Sequence, residues 1–241
     1  MVSKDIIVYW AYSPMPNKNT YVSMMSNPPT PLFKTLPKRA SNKDALQNYI
    51  NCRGLPNLYK NTFLITSPID ANLSVEYVDE KCYPVGEGQQ FFIEETRSFE
   101  DMNRIDLDFS YIFFSEESVE LAQIPAFIHK TTFSENAFIA SGSFDISKWF
   151  RPLFPSFIFW KNNSQLQLKK NDPLYYLDFR TDKNVVLKQF EFTEPILEIM
   201  AGSLSYRNAN PLTSLQHLYD RFASSKKNKK LIKLIKENLI D

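Results

Sequence analysis

The sequence predicts an α+β protein: an antiparallel β-sandwich or jelly-roll-like sheet with an irregular N-terminal arm and C-terminal helices. Three observations predict it. Between Phe154 and Phe192, apolar and aromatic residues recur at strand spacing, broken by polar turns such as Lys169-Lys170-Asn171-Asp172-Pro173. From Pro211 onward the apolar spacing lengthens to three and four residues, the period of a helix face. The 241 residues are 43% apolar and 15% aromatic, enough to bury a sizeable core and far from a disordered composition. Strands followed by segregated helices define the class. They divide the chain into a β-rich part, 1–210, and a helical segment, 211–241, packed on it.

Taken in order, Ile6–Trp10 reads as a strand buried on both faces. Ser13–Arg39 holds six prolines, which argues against helix and predicts either a wrapping arm packed by Met24, Met25, Leu32 and Phe33 or a functional loop. Ser41 caps a short helix over Asp44–Cys52, with Ala45, Leu46, Tyr49 and Ile50 on one face. Thr62–Thr66 and Leu73–Val78 are strands and are expected to form a hairpin across Ser67–Asn72. Gln90–Glu94 is a further strand. Ile105–Phe114 reads as one strand, half exposed at Asp106 and Asp108 and buried at its end. Val119–Ile128 resumes the apolar pattern after the polar break Ser115–Ser118, Phe138–Ser141 is short and apolar, and Gly142–Trp149 reads as a turn or single helical turn. Phe157–Trp160, Gln165–Leu168, Leu174–Phe179 and Val185–Phe192 complete the strands. Leu215, Leu218, Tyr219 and Phe222 mark one helix, and Leu231, Ile232, Leu234, Ile235 and Leu239 a second.

Composition narrows the function classes. Lys plus Arg number 28 against 27 Asp plus Glu, so bulk charge gives no affinity for nucleic acid. The apolar runs fall short of the roughly 20 residues that span a bilayer. The N-terminus does not read as a signal peptide. The two cysteines, Cys52 and Cys82, suit a reduced chain. Cys52 precedes Arg53, a cation able to depress a thiol pKa, but reads as a buried cysteine at a helix end. The two histidines, His129 and His217, lie 88 residues apart on segments of different type, and His129 is followed by Lys130-Thr131 with no acid at metal-ligand spacing; no metal or other cofactor is expected. Gly-x-Ser-x-Gly, Gly-x-Gly-x-x-Gly and Walker-type patterns are absent. Lys226, Lys227, Lys229, Lys230 and Lys233 form the one charge concentration, a candidate surface for an anion or a partner.

Two resemblances extend this reading. Phe157-Ile158-Phe159-Trp160-x-Asn162, then Leu166-x-Leu168-Lys169-Lys170-x-Asp172-Pro173-Leu174, resembles the closing hairpins of the trimeric dUTPase and dCTP-deaminase fold. Asn171 stands where that family has glycine, and the family's nucleotide-binding signature has no counterpart. More of the chain is similar to an uncharacterised protein family of tailed bacteriophages, especially marine myoviruses. The likeness rests on Val8-Tyr9-Trp10-Ala11, Pro31-Leu32-Phe33-Lys34, Cys52-x-Gly54-Leu55-Pro56, Lys60-Asn61-Thr62-Phe63 and Trp149-x-Arg151-Pro152. That resemblance implies a phage-encoded protein of the host cytoplasm.

The function expected is non-enzymatic: binding to a host protein or within a phage assembly, through the Pro- and aromatic-rich arm or the lysines. The alternative is an enzyme of nucleotide or small-molecule metabolism with Asp70, Arg151 and Asp172, and His129 beside them, around one cavity. Nucleic-acid contact through the C-terminal lysines stands as a third reading. Oligomeric state is open.

Overall fold

A computed structural model of the chain describes residues 5–13, 26–36, 59–97, 102–148, 150–160, 165–209 and 212–240. The expected helix over Asp44–Cys52 lies outside the described residues, as do Met24, Met25 and Cys52. The class is α+β and β-sandwich-like, as the sequence predicts. The strands are β1 (Ile6–Tyr12), β2 (Thr30–Pro31), β3 (Thr62–Thr66), β4 (Ala71–Val78), β5 (Lys81–Glu87), β6 (Thr96–Arg97), β7 (Met102–Asp106) and β8 (Tyr111–Ser115). They continue as β9 (Glu120–Pro125), β10 (Phe138–Ile139), β11 (Gly142–Asp145), β12 (Ser156–Trp160), β13 (Gln165–Leu168), β14 (Pro173–Arg180) and β15 (Val185–Gln189). The helices are α1 (Leu32–Thr35), α2 (Thr132–Asn136), α3 (Glu194–Ala209), α4 (Leu215–Ala223) and α5 (Lys226–Glu237).

Among the described residues the strands form four sheets, ordered β15-β1-β8, β10-β12-β7, β11-β9-β14-β3-β2 and β13-β4-β5-β6. All pairings are antiparallel except β1 with β15. Strand alternation sorts the side chains into cores. On β1, Ile6, Val8 and Trp10 enter the main core, whereas Tyr9 and Ala11 enter a second core facing the helices. On β8, Tyr111 and Phe113 go to the first core, Ile112 and Phe114 to the second. The β15-β1-β8 sheet is therefore a middle layer, with strands on one side and α3 and α5 on the other. Burial of each large side chain contributes roughly 1.5–3 kcal/mol. A third cluster joins Leu32 of α1, Tyr59, Leu64, Ala126 and Tyr176, and seats the arm on the outer face of β3 and β14.

Several expectations are corrected. β3 and β4 are not a hairpin; they enter different sheets, and β4 pairs instead with β5 through Asp79 and Glu80, both at positive φ (48° and 62°). Residues Gln89–Phe91 form a 3-10 turn, and only Phe92 bridges, to Leu107. Ile105–Phe114 is two strands in different sheets, and Asp106 is buried against Arg104 rather than solvated, with Nη2 to Oδ2 at 2.6 Å. Gly142–Asp145 is a strand. The runs from Phe157 to Phe192 enter four different sheets instead of one. The arm contains the helix α1, entered through Pro31, where a proline keeps its fixed φ and loses no helical donor; its Leu32 is buried, but Phe33 is 59% exposed. Helix begins at Glu194, earlier than the apolar spacing marks it, because α3 carries Gly202, Ser203 and Ser205 in its middle.

Candidate functional site: a cationic cleft between sheet and helices

The loop from β11 to β12 is built by Asp145. Its carboxylate accepts the Ser147 amide at 2.9 Å, the Ser147 hydroxyl at 2.7 Å and the Ser118 hydroxyl at 2.8 Å. This Asx-type turn projects Lys148. Two residues on, Phe150 plugs into the second core, edge-on to Phe114 with ring centroids 5.7 Å apart. The Leu153 amide then donates to the Tyr111 carbonyl at 2.8 Å, pinning the loop to β8. Arg151 is thus held between an aromatic anchor and a backbone bridge.

Across from it, α3 presents Gly202 and Ser203, α4 presents Leu218, Tyr219, Arg221 and Phe222, and Ser225 and Lys227 open α5. Ser225 caps α5, accepting the Asn228 amide at 3.3 Å and donating to the Phe222 carbonyl at 2.7 Å. A Cβ on Gly202 would lie 3.5 Å from Lys227 Nζ, an ordinary contact, so the ammonium lies close against α3 here. Together these residues enclose a cavity of about 290 Å³. Among the described residues lining it are four cations, Lys148, Arg151, Arg221 and Lys227, and no carboxylate. Asp220 sits at the edge, 3.5 Å from Lys148 Nζ. Phe150, Leu218 and Phe222 supply an apolar wall beside the charges. Chemically, cations beside an apolar wall suit an anion carried on an apolar body. Among the described lining residues there is no histidine, cysteine or carboxylate, and Ser203 and Ser225 donate to the Ile199 and Phe222 carbonyls.

The structure distributes the sequence-predicted residues as follows. Arg151 and Lys227, predicted for different roles, come together in this cleft. Lys226, Lys229, Lys230 and Lys233 are exposed along α5, with Lys233 3.7 Å from Glu237 one turn on. Asp70 and Asp172 organise turns. Asp172 accepts the Lys169 amide at 3.0 Å, and Asp70 accepts the Lys170 amide at 2.9 Å. Asp172 also lines a cleft of about 400 Å³ with Lys130, Glu135 and Lys169. That cleft shares Lys130 and Glu135 with a neighbour of about 360 Å³ that holds His129. Arg151 and Asp172 therefore line separate cavities. The residues that sequence reasoning missed are Lys148, Arg221 and the aromatic wall. Two cations from each of two distant segments leave no pattern that joins the segments; only the packing of the C-terminal helices against the β11–β12 loop gathers them.

Elsewhere, burial and fixed partners dominate the titratable groups. Burial lowers the His129 pKa, opposed by a hydrogen bond to the Thr35 backbone. His129 Nδ1 lies 2.7 Å from the Tyr176 hydroxyl, which also accepts the Ile128 amide at 3.2 Å. Burial pushes Tyr176 to about 12. Tyr9 is likewise pushed to about 12, by burial and then by its bond to Glu116; that carboxylate also takes Lys236 of α5 at 2.7 Å. Cys82 is a free, buried thiol beside Asn103. No group of three or more His, Cys, Asp or Glu able to hold a metal occurs among the described residues. Among them, too, no helix is long and apolar enough to cross a membrane. No known protein family, curated protein or solved structure matches the chain.

Proposed function

We propose that this protein acts by binding, without making or breaking bonds, and that the cleft between the β11–β12 loop and the C-terminal helices receives an anionic group displayed by a protein partner. The observation that supports this reading is the composition of the lining: four cations from three elements around an apolar wall, with no histidine, cysteine or carboxylate among the described residues that line it. Such a site holds charge and orients it. The resemblance of the sequence to a phage protein family fits a partner that is a host factor or an assembly component.

The test is a peptide array of acidic and phosphorylated sequences, probed with the wild-type chain and with a Lys148→Glu/Lys227→Glu variant of unchanged thermal midpoint. Binding that disappears in the variant and weakens with added salt supports the proposal. Peptides held equally by both proteins refute it. Turnover of a small molecule that stops when either lysine is changed refutes the non-catalytic part.

A further inference from the structure

We infer that the two adjoining clefts around α2 bind a neutral saccharide, with one sugar ring laid against Phe127 and the hydroxyls met by Gln167, Asp172 and the Lys130–Glu135 pair. This site shares no lining residue with the cationic cleft and stands independently of it.

Charge points to an uncharged ligand. The described linings of the two clefts hold Lys130 and Lys169 against Glu135 and Asp172. Burial lowers the pKa of His129, beside them, and favours its neutral ring. Charges that cancel in this way leave little net field to draw an ion.

The polar groups suit hydroxyls. A sugar hydroxyl donates one hydrogen bond and accepts others, so it is best met where donors and acceptors lie side by side. Lys130 and Glu135 form such a couple, 2.7 Å apart, and both clefts share it. The couple does not have to open for a ligand. An ammonium has three N–H donors and a carboxylate two acceptor oxygens, so each can serve a hydroxyl while holding the other. Asp172 accepts the Lys169 amide through Oδ2 and has a second oxygen in addition. Gln167, exposed on β13, carries an amide that donates and accepts at once.

The neighbouring cleft supplies the apolar face. Phe127 is 52% exposed and stands T-shaped to Tyr176, ring centroids 5.4 Å apart, so its plane is fixed before a ligand arrives. Ala137 and Leu174, both buried, line the same cleft. A phenyl ring covers the C–H face of a pyranose and asks for no hydrogen bond in return. The clefts measure about 400 and 360 Å³, each within the roughly 300–1,000 Å³ of small-molecule sites. Two joined clefts fit a short oligosaccharide better than a single ring. An apolar side chain of a protein would fill the phenyl cleft and leave the polar one unused. A saccharide, apolar on one face and hydroxylated at its rim, uses both.

The experiment applies the full chain to an array of neutral gluco-, manno-, galacto- and N-acetylglucosamine oligomers with their sulfated and sialylated counterparts, then titrates the retained sugars by calorimetry. At least one neutral oligomer is expected to bind, with affinity unchanged between about 50 and 500 mM salt. Phe127→Ala and Gln167→Ala, both at exposed positions, are each expected to weaken it about tenfold, while Lys148→Glu/Lys227→Glu binds it as the wild type does. If Phe127→Ala lowers the thermal midpoint, Gln167→Ala carries the test alone. Retention of the sulfated or sialylated forms only, or affinity that collapses with salt, overturns the neutral class. Sugar bound equally by the wild type and both variants overturns the placement in these clefts. No oligomer retained overturns the inference outright. Peptides lost in Phe127→Ala, with no sugar bound, overturn it in favour of a protein side chain.

Discussion

The Asp70 carboxylate accepts the backbone amide of Lys170 at 2.9 Å, joining positions 100 residues apart. The same seam contains Ser67 N to Asp172 O at 2.8 Å and Asn171 N to Ser67 O at 2.8 Å. Asn27 Nδ2 adds a bond to Asn171 Oδ1 at 2.7 Å. The β13–β14 turn is thereby stitched to the β3–β4 connection and to the arm. Two carboxylates that resemble catalytic candidates in sequence are turn-makers in space.

Asp70→Ala is accordingly expected to lower stability by about 1 kcal/mol, because one amide loses its acceptor at a site open to water. Asp70→Asn retains an acceptor oxygen and is expected to cost less. Denaturant titration measures both. Ligand affinity at the cationic cleft should be the same in each variant, and a large affinity loss would return Asp70 to the list of binding residues.

His129 gives a pH dependence whose sign follows from its lowered pKa. Below the ordinary value of 6.5 the unfolded chain takes up a proton that the folded ring resists, so stability falls as pH drops from 6.5 toward the folded pKa. Above 6.5 the contribution is complete. In His129→Gln the slope of unfolding free energy against pH should be shallower than in the wild type across that window. Parallel slopes would show that the imidazole is not held neutral. Tyr176→Phe strips an acceptor from the Ile128 amide and a partner from His129 Nδ1, and is expected to cost about 1–3 kcal/mol.

The β4–β5 turn is built from non-glycine residues at positive φ, 48° for Asp79 and 62° for Glu80. Two-residue hairpins of this hand prefer Asn-Gly, which adopts positive φ at little steric cost. Asp79→Asn combined with Glu80→Gly is therefore expected to raise stability by about 0.5–1 kcal/mol, part of the strain relief being returned as unfolded-chain entropy. A lower thermal midpoint would contradict it.

Gly202 offers a second stabilising change. It lies inside α3, and an added Cβ meets only the end of Lys227 at 3.5 Å, an ordinary contact. Gly202→Ala is expected to stabilise by about 0.5–1 kcal/mol through helix propensity. Thermal unfolding reads the gain, and peptide titration checks that the cleft still accepts its ligand.

Strand positions and the C-terminal helices were largely legible because their side chains carry a period. Connectivity was not. Leu107–Ser110 breaks β7 from β8 without Gly or Pro, and Phe109 and Ser110 are as buried as the flanking strands. Periodicity runs through such a break unmarked. β5 carries no legible period because Pro84 and Gly86 interrupt it, although Pro84 stands opposite Val75 in the ladder. Gly86 is needed there: at φ 133° its Cβ would fall 2.5 Å from the Asn72 carbonyl oxygen. The cleft was half visible. Arg151 and Lys227 each stand out in sequence, but nothing in a linear pattern links the segment of Lys148 and Arg151 to that of Arg221 and Lys227.

The pairing of β1 has a consequence for how the chain is made. Both neighbours, β8 and β15, are encoded far downstream, and β15 joins it in parallel through Ile6↔Val185. At roughly 5–20 residues per second on a ribosome, the first strand waits on the order of 10–40 s for that partner. β8 can pair with it earlier, but until both neighbours have emerged the sheet that buries Val8 and Trp10 is incomplete, and the nascent polypeptide has to be shielded or to fold its middle sheets first.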